Sequence, residues 1–139
     1  MSGKSLRISP LVKATGRDTA AINAPAMDAV DWRSVCPISS ALDVLGDKWS
    51  LLIIRDLLMH GPRTYSELLA SPEHISTNIL ASRLSLLTYL KLIERTNPQG
   101  TARNNAYQVT EGGAALRPIL DGVAKWAQVH LKDFHSDIV

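Results

Sequence analysis

The chain has 139 residues, of which 45% are hydrophobic and 20% charged, with 15 Lys plus Arg against 13 Asp plus Glu. That is the make-up of one soluble domain large enough to bury a core without disulfide or metal staples. A single cysteine, Cys36, excludes an intramolecular disulfide framework and fits a reducing cytoplasm, and a formal net charge of +2 does not by itself point to an acidic partner.

Other classes fall away on spacing. The histidines at 60, 74, 130 and 135 lack the Cys/His spacing of a zinc site. The apolar run Leu51 to Ile54 is far short of the roughly 20 residues of a membrane span. The first residues carry Lys4, Arg7, Lys13 and Arg17 without a continuous apolar stretch, so no secretion signal is expected. There is no G-x-S-x-G elbow, no phosphate-binding glycine loop and no carboxylate pair with a matching histidine, so an enzyme is not expected, nor a cofactor.

Residues 1–34 read as an N-terminal arm, mobile or packed on a partner, because they are rich in Ala, Ser, Thr and Gly and weakly periodic. Ile38, Ala41, Leu42 and Leu45 predict a helix over 37–45, with Pro37 in its first turn and Gly46 at its end. Lys48 to Met59 is apolar on nearly every side, as expected of a central buried helix, and Gly61-Pro62 stops it. Thr64-Tyr-Ser-Glu67 has the form of a capping box and predicts a short helix over 65–70.

Ser76 is placed to cap a fourth helix over 76–90, with Ile75 packing on Leu80 as a hydrophobic staple. Leu80, Leu84 and Leu87 share its apolar face, while Asn78, Ala81, Ser82, Ser85 and Tyr89 form a stripe without carboxylates. Residues 93–96 and 106–109 predict two short strands joined by a long polar tip. Thr110 then caps a last helical region, kinked near Arg117 by Pro118, whose main helix is expected over 118–134.

The expected fold class is therefore mainly α with a small β-hairpin, a winged helix-turn-helix over 35–110 followed by a dimerisation helix in 111–139. In such a unit the helix over 76–90 enters the major groove of double-stranded DNA. Ser76, Thr77, Asn78, Ser82 and Ser85 offer hydrogen bonds, Asn78 suits adenine, and Ala81 and the Thr77 methyl suit a thymine methyl. Between Glu73 and Glu111 one acidic residue, Glu94, stands against Arg83, Lys91, Arg95 and Arg103, a local balance of +3, whereas residues 111–139 carry three basic and four acidic side chains. Arg83, Arg103 on the wing, and Lys48 and Arg63 at helix starts are candidate phosphate anchors. Each has an ordinary alternative as a solvated or ion-paired surface residue. A winged helix used only for protein contacts would instead present an acidic or bulky face on the fourth helix.

Cys36-Pro-Ile, Leu45-Gly-Asp-Lys-Trp-Ser-Leu-Leu-Ile-Ile-Arg-Asp-Leu-Leu58, Gly61-Pro-Arg-Thr-Tyr-Ser-Glu-Leu68, Ile75-Ser76, Leu80-Ala-Ser-Arg-Leu84 and Tyr107-Gln-Val-Thr110 with Gly113 resemble the HxlR-type winged-helix transcriptional regulators of bacteria, over about residues 35–131. The resemblance implies a homodimer on pseudo-palindromic operator DNA, with the first and last helices forming much of the interface, and Trp126 in the last helix matches a Trp common in that family. Two departures stand out: Lys91 where the turn before the first wing strand usually has Gly, and Arg103-Asn104-Asn105 in place of a Pro-rich approach to the Tyr.

Cys36 at a helix N-terminus is a redox or electrophile sensor candidate, as in some regulators of this type; the other reading is a small buried hydrophobe, with regulation left to a small molecule. A cleft near Trp49, Trp126 and Tyr65 could hold an aromatic or acidic effector, unless these side chains are core. Trp32 either docks on a partner subunit or covers an apolar patch.

Overall fold

The computed structural model describes residues 30–101 and 105–139. Most of the arm and the wing tip with Arg103 therefore lie outside the described residues. The elements in chain order are α1 (Pro37–Leu45), α2 (Ser50–His60), β1 (Arg63–Thr64), α3 (Tyr65–Leu69), α4 (Thr77–Tyr89), β2 (Ile93–Arg95), β3 (Ala106–Val109), α5 (Glu111–Ala114) and α6 (Arg117–His130).

Local sequence explains most boundaries. Pro37 occupies the first turn of α1, where its missing N–H costs nothing, and Cys36 is the extended N-cap residue. Gly61 ends α2 at φ 78°, a backbone conformation that disfavours any side chain. The capping box of α3 is complete: Glu67 N–H donates to Thr64 Oγ1 at 3.2 Å and Thr64 N–H donates to Glu67 Oε1 at 2.9 Å. Ser76 caps α4 by accepting from Ile79 N–H at 3.3 Å.

The sheet is antiparallel, with three strands in the order β1-β3-β2 rather than the expected hairpin alone. The extra strand, β1, pairs Arg63 with Tyr107 and Thr64 with Ala106. At two residues it is too short for alternation to reveal, and it falls within Gly61-Pro-Arg-Thr, which otherwise reads as a turn leading to a helix cap.

The C-terminal region also differs from expectation. Instead of one kinked helix it contains two: α5, capped by Thr110, and α6, which begins at Arg117 and ends at His130 rather than 134. Phe134 follows that end and is exposed, so its spacing from His130 does not extend the helix.

The core is formed by Ile53, Ile54 and Leu57 of α2, Leu68 of α3, Ile75, Leu80, Leu84 and Leu87 on or before α4, and Ile93 of β2. Each such side chain stabilises the fold by about 1.5–3 kcal/mol relative to exposure. Ile75 and Leu80 join this cluster as the staple predicts. By contrast, neither α1 nor α6 buries a residue. The core thus fixes α2, α3, α4 and the wing strands as one unit and leaves the outer faces of the first and last long helices uncovered.

Candidate nucleic-acid interface

With Leu80, Leu84 and Leu87 turned inward, the opposite face of α4 is turned to solvent: Ser76, Thr77, Asn78, Ala81, Ser82, Ser85 and Tyr89 are all exposed. The stripe read from helical periodicity is therefore a real surface. Apart from Tyr89 at its C-terminal end, it is small, neutral and rich in hydroxyl and amide groups, which lets a helix axis approach base edges closely.

Three interactions fix this helix through partners that the sequence pattern does not pair. The Tyr65 hydroxyl donates to the backbone carbonyl of Thr77 at 3.0 Å, tying α3 to the first turn of α4. Across the turn between those helices, Arg55 of α2 makes two parallel bonds to Glu73, Nη1 to Oε2 at 2.8 Å and Nη2 to Oε1 at 2.9 Å. Such a fork is the strong form of an ion pair. Ser71 Oγ adds a 2.8 Å bond to Glu73 Oε1, and Arg55 Nε also donates to Asp56 at 2.9 Å. The Arg55 hydrogen bond, helped by Ser71, holds the Glu73 carboxyl at about 2, against an opposing desolvation effect. His74, which completes the turn, takes φ 64°.

The third interaction is at Asp47, just before α2. Asp47 Oδ2 accepts from Trp49 N–H and Ser50 N–H, both at 2.9 Å, while Oδ1 accepts from Ser50 Oγ at 2.7 Å. An Asp three residues before Ser50 is in itself a recognisable helix-capping pattern that spacing can reveal. Its second partner is not: Arg83 of α4, 36 residues away in sequence, has Nη1 3.4 Å from Asp47 Oδ1.

The candidate phosphate anchors separate in their surroundings. Lys48 is exposed, with its ammonium 5.3 Å from the centroid of the Trp49 ring. Arg83 is half-buried against Asp47 and reaches Ser82 Oγ at 3.5 Å with its other terminal nitrogen. Arg63 does not stand free at a helix start: it is a residue of β1, its Nη1 lies 3.8 Å from Glu67, and its Nε is enclosed without a hydrogen-bond partner among the described residues.

The base of the wing is organised by Asn105, only 3% exposed. Its Oδ1 accepts from Asn97 N–H and its Nδ2 donates to the Thr101 carbonyl, both at 2.8 Å. A buried amide satisfied on both sides fixes the approach to the tip. An Asn in a polar turn-rich run gives no sequence signal that sets it apart. Lys91, in the turn before β2, takes φ 63°, a left-handed conformation that explains why glycine is usual there.

Cys36 is a free, exposed thiol at the N-cap of α1, so the buried reading is not what the structure has. The tryptophans and Tyr65 are not gathered in one cleft: a shallow recess beside Trp49 is lined by Leu52, Ile53, Leu68 and Ile75, without Tyr65 or Trp126. Trp126 is instead exposed on α6, its ring 5.5 Å from that of His130. Trp32 is also exposed, and Arg33 beside it pairs with Asp43 of α1. No helix among the described residues is long and apolar enough to cross a membrane.

Known proteins share this arrangement. The HxlR-like helix-turn-helix family matches residues 44–134. The chain is 35% identical over 95 residues to the HTH-type transcriptional regulator YodB of Bacillus subtilis, covering 68% of this chain and 84% of that one. It is 34% identical over 94 residues to the HTH-type transcriptional regulator YvaP of the same organism, covering 67% and 86%. Among solved structures, reduced YodB superposes with a TM-score of 0.57 at 33% identity, over 68% of this chain and 93% of that one. Quinone-bound YodB does so with a TM-score of 0.56 at 34% identity, over 67% and 97%. The exposed polar face of α4, the wing strands and these matches lead to one assignment: the chain belongs to the HxlR-like helix-turn-helix family of transcriptional regulators.

Proposed function

We propose that the protein is a sequence-specific regulator that binds pseudo-palindromic double-stranded DNA as a homodimer in the bacterial cytoplasm, inserting α4 into the major groove. The observation that carries this reading is the exposed, small and neutral face of α4, built on a core that fixes the helix from behind. Ser76, Thr77, Asn78, Ala81, Ser82 and Ser85 read base edges, and Lys48, Arg83 and Arg103 are the cations proposed for phosphates, with Arg63 set aside because it sits in β1 beside Glu67. Dimerisation is supported by α1 and α6, where Ile38, Leu42, Ile119, Val123, Trp126 and Val129 are all more than half exposed. On α6 the spacing of four, three and three residues makes these a continuous apolar stripe. Residues 35–110 form the DNA-binding unit, and 111–139 supply the dimerisation helix. Selection from a randomised duplex library tests the reading: the protein enriches an inverted repeat, whereas recovery of no preferred sequence at low salt would reject it.

A second layer rests on Cys36. An exposed thiol at a helix N-terminus, next to the candidate dimer face, suits attack on quinone-type electrophiles, the ligand class in one YodB structure. The sulfur adds to a ring carbon, the thiol proton passes to one quinone oxygen, the hydrogen of the attacked carbon shifts to the other, and the ring becomes an S-substituted hydroquinone. If Cys36→Ser protein lost DNA on quinone treatment as readily as the parent, this layer would fall. Regulation by a small molecule without the cysteine then becomes the reading to pursue.

A further inference from the structure

We propose that Asp47 is a positioning residue for the DNA contact: through its pair with Arg83 it holds a cation of α4 at the edge of the reading face, set for a backbone phosphate. The inference rests on the DNA-binding reading above and adds to it a residue that lies off the reading helix.

Arg83 is the sole Lys or Arg within α4, so the charge this helix brings to DNA resides in one side chain. A free arginine samples many rotamers, and ordering it on a phosphate consumes part of the contact's value. Here two contacts already restrain the side chain. Nη1 lies 3.4 Å from Asp47 Oδ1, and Nη2 lies 3.5 Å from Ser82 Oγ on the exposed face. The guanidinium therefore bridges from the start of α2 to the reading surface, and these two bonds leave most of its five N–H groups for another acceptor. It remains about a quarter exposed, with 26% of the side chain accessible.

The carboxylate that steers it is itself immobilised. Ser50 Oγ and two backbone N–H groups at the start of α2 bind Asp47, and Ser50 is completely buried. Burial raises the Asp47 carboxyl, but the bonds from Ser50 and Trp49, together with the charge of Arg83, outweigh it and leave the group below its ordinary value. It is thus charged at neutral pH. Asp47 does not compete well with a phosphate for Arg83: its bond is single and long, whereas a phosphate takes two N–H groups at once. The carboxylate orients the guanidinium without retaining it.

The test uses the full-length protein and a duplex selected by the parent from a randomised library. Asp47→Asn and Asp47→Ser each keep an acceptor oxygen for the N–H groups at the start of α2 and remove the charge that faces Arg83. Each is expected to weaken DNA binding about tenfold, as Arg83→Ala does, and D47N/R83A to be no weaker than R83A alone. The readout that a fold defect would not move is the salt dependence: the slope of log K against log salt falls by about 0.9 for each phosphate that is no longer neutralised, hence about 1.8 per dimer, in R83A and in both Asp47 variants. Additive effects of D47N and R83A, a full salt slope in the Asp47 variants, or affinity equal to or above the parent's would overturn the proposal. So would loss of folding in both Asp47 variants, which would mark the residue as a folding element. A parent that selects no duplex rejects the DNA-binding reading itself, and the inference with it.

Discussion

The hydroxyl of Tyr65 donates to the carbonyl of Thr77 at 3.0 Å, joining the helix before the turn to the first residue of the reading helix. That carbonyl already serves the first turn of α4, so the phenol is an added tether rather than a required partner. Tyr65→Phe keeps the ring against the core and removes only this bond. It is expected to lower unfolding free energy by about 0.5–1.5 kcal/mol in urea titrations. DNA affinity should fall by a larger factor than the reduced folded fraction explains, because the N-terminal turn of α4 loses its anchor.

The fork between Arg55 and Glu73 makes stability pH-dependent in a defined direction. The Glu73 carboxyl lies at about 2 in the folded protein, below its ordinary value of 4.5. A depressed folded value means that the stabilisation is fully present above about 4.5 and is lost as pH falls toward 2. Melting temperatures recorded through this window should fall less steeply for Glu73→Gln than for the parent. Since Glu73 is about one-third exposed, solvent screening makes the effect modest.

Lys91 holds a left-handed conformation at φ 63°. Lys91→Gly relieves that strain but adds chain entropy to the unfolded state. The net expected gain is a few tenths to about 1 kcal/mol in denaturant unfolding. An unchanged or lower midpoint would show that the Lys side chain compensates its own backbone cost.

The apolar stripe of α6 predicts the oligomeric state. Trp126 is 57% exposed and Val123 54%, too much apolar surface in one line for a helix that meets only water. Val123→Asp is expected to give a folded monomer by sedimentation analysis, with a melting temperature that is lower and no longer dependent on protein concentration, because more than half of this side chain is open to solvent within the single chain and only the linkage to dimerisation is lost. Affinity for an inverted repeat should drop at least a hundredfold as the two half-sites lose their linkage.

How much of the fold and the site is legible in the sequence follows from the range of each interaction. Signals within one turn of helix are legible: the Thr64 and Glu67 capping box, the Ile75 staple on Leu80, and the division of α4 into a leucine face and an Asn78-to-Ser85 face. Pairings that span the chain are not. Arg63 reads as a free cation until β1 is seen paired with β3, and Arg83 reads as a free phosphate anchor until Asp47 is seen beside it. The end of α6 escapes periodicity because Phe134 continues the apolar spacing past His130 while lying outside the helix. Of the aromatic residues that could have lined a cleft, Trp49 and Tyr65 pack against the core and Trp126 stands exposed on α6, because apolar character says a residue seeks cover, not which cover it finds.

Side-chain chemistry on α4 also divides the expected DNA phenotypes. Asn78 is exposed in the first turn, where a bidentate amide contact with adenine is within the helix's reach. Asn78→Ala should therefore relax selection at one position per half-site, with about 1–3 kcal/mol of discrimination removed. Arg103→Ala should instead weaken binding to all sequences alike and flatten its salt dependence.

The most direct measurement of the central claim is a hydroxyl-radical footprint of the full-length protein on its selected duplex. Two α4 helices in a symmetric dimer predict two protected patches related by a dyad, with centres one helical turn apart, roughly 34 Å. Protection of a single patch without symmetry, or none at protein concentrations that saturate the duplex, would contradict it.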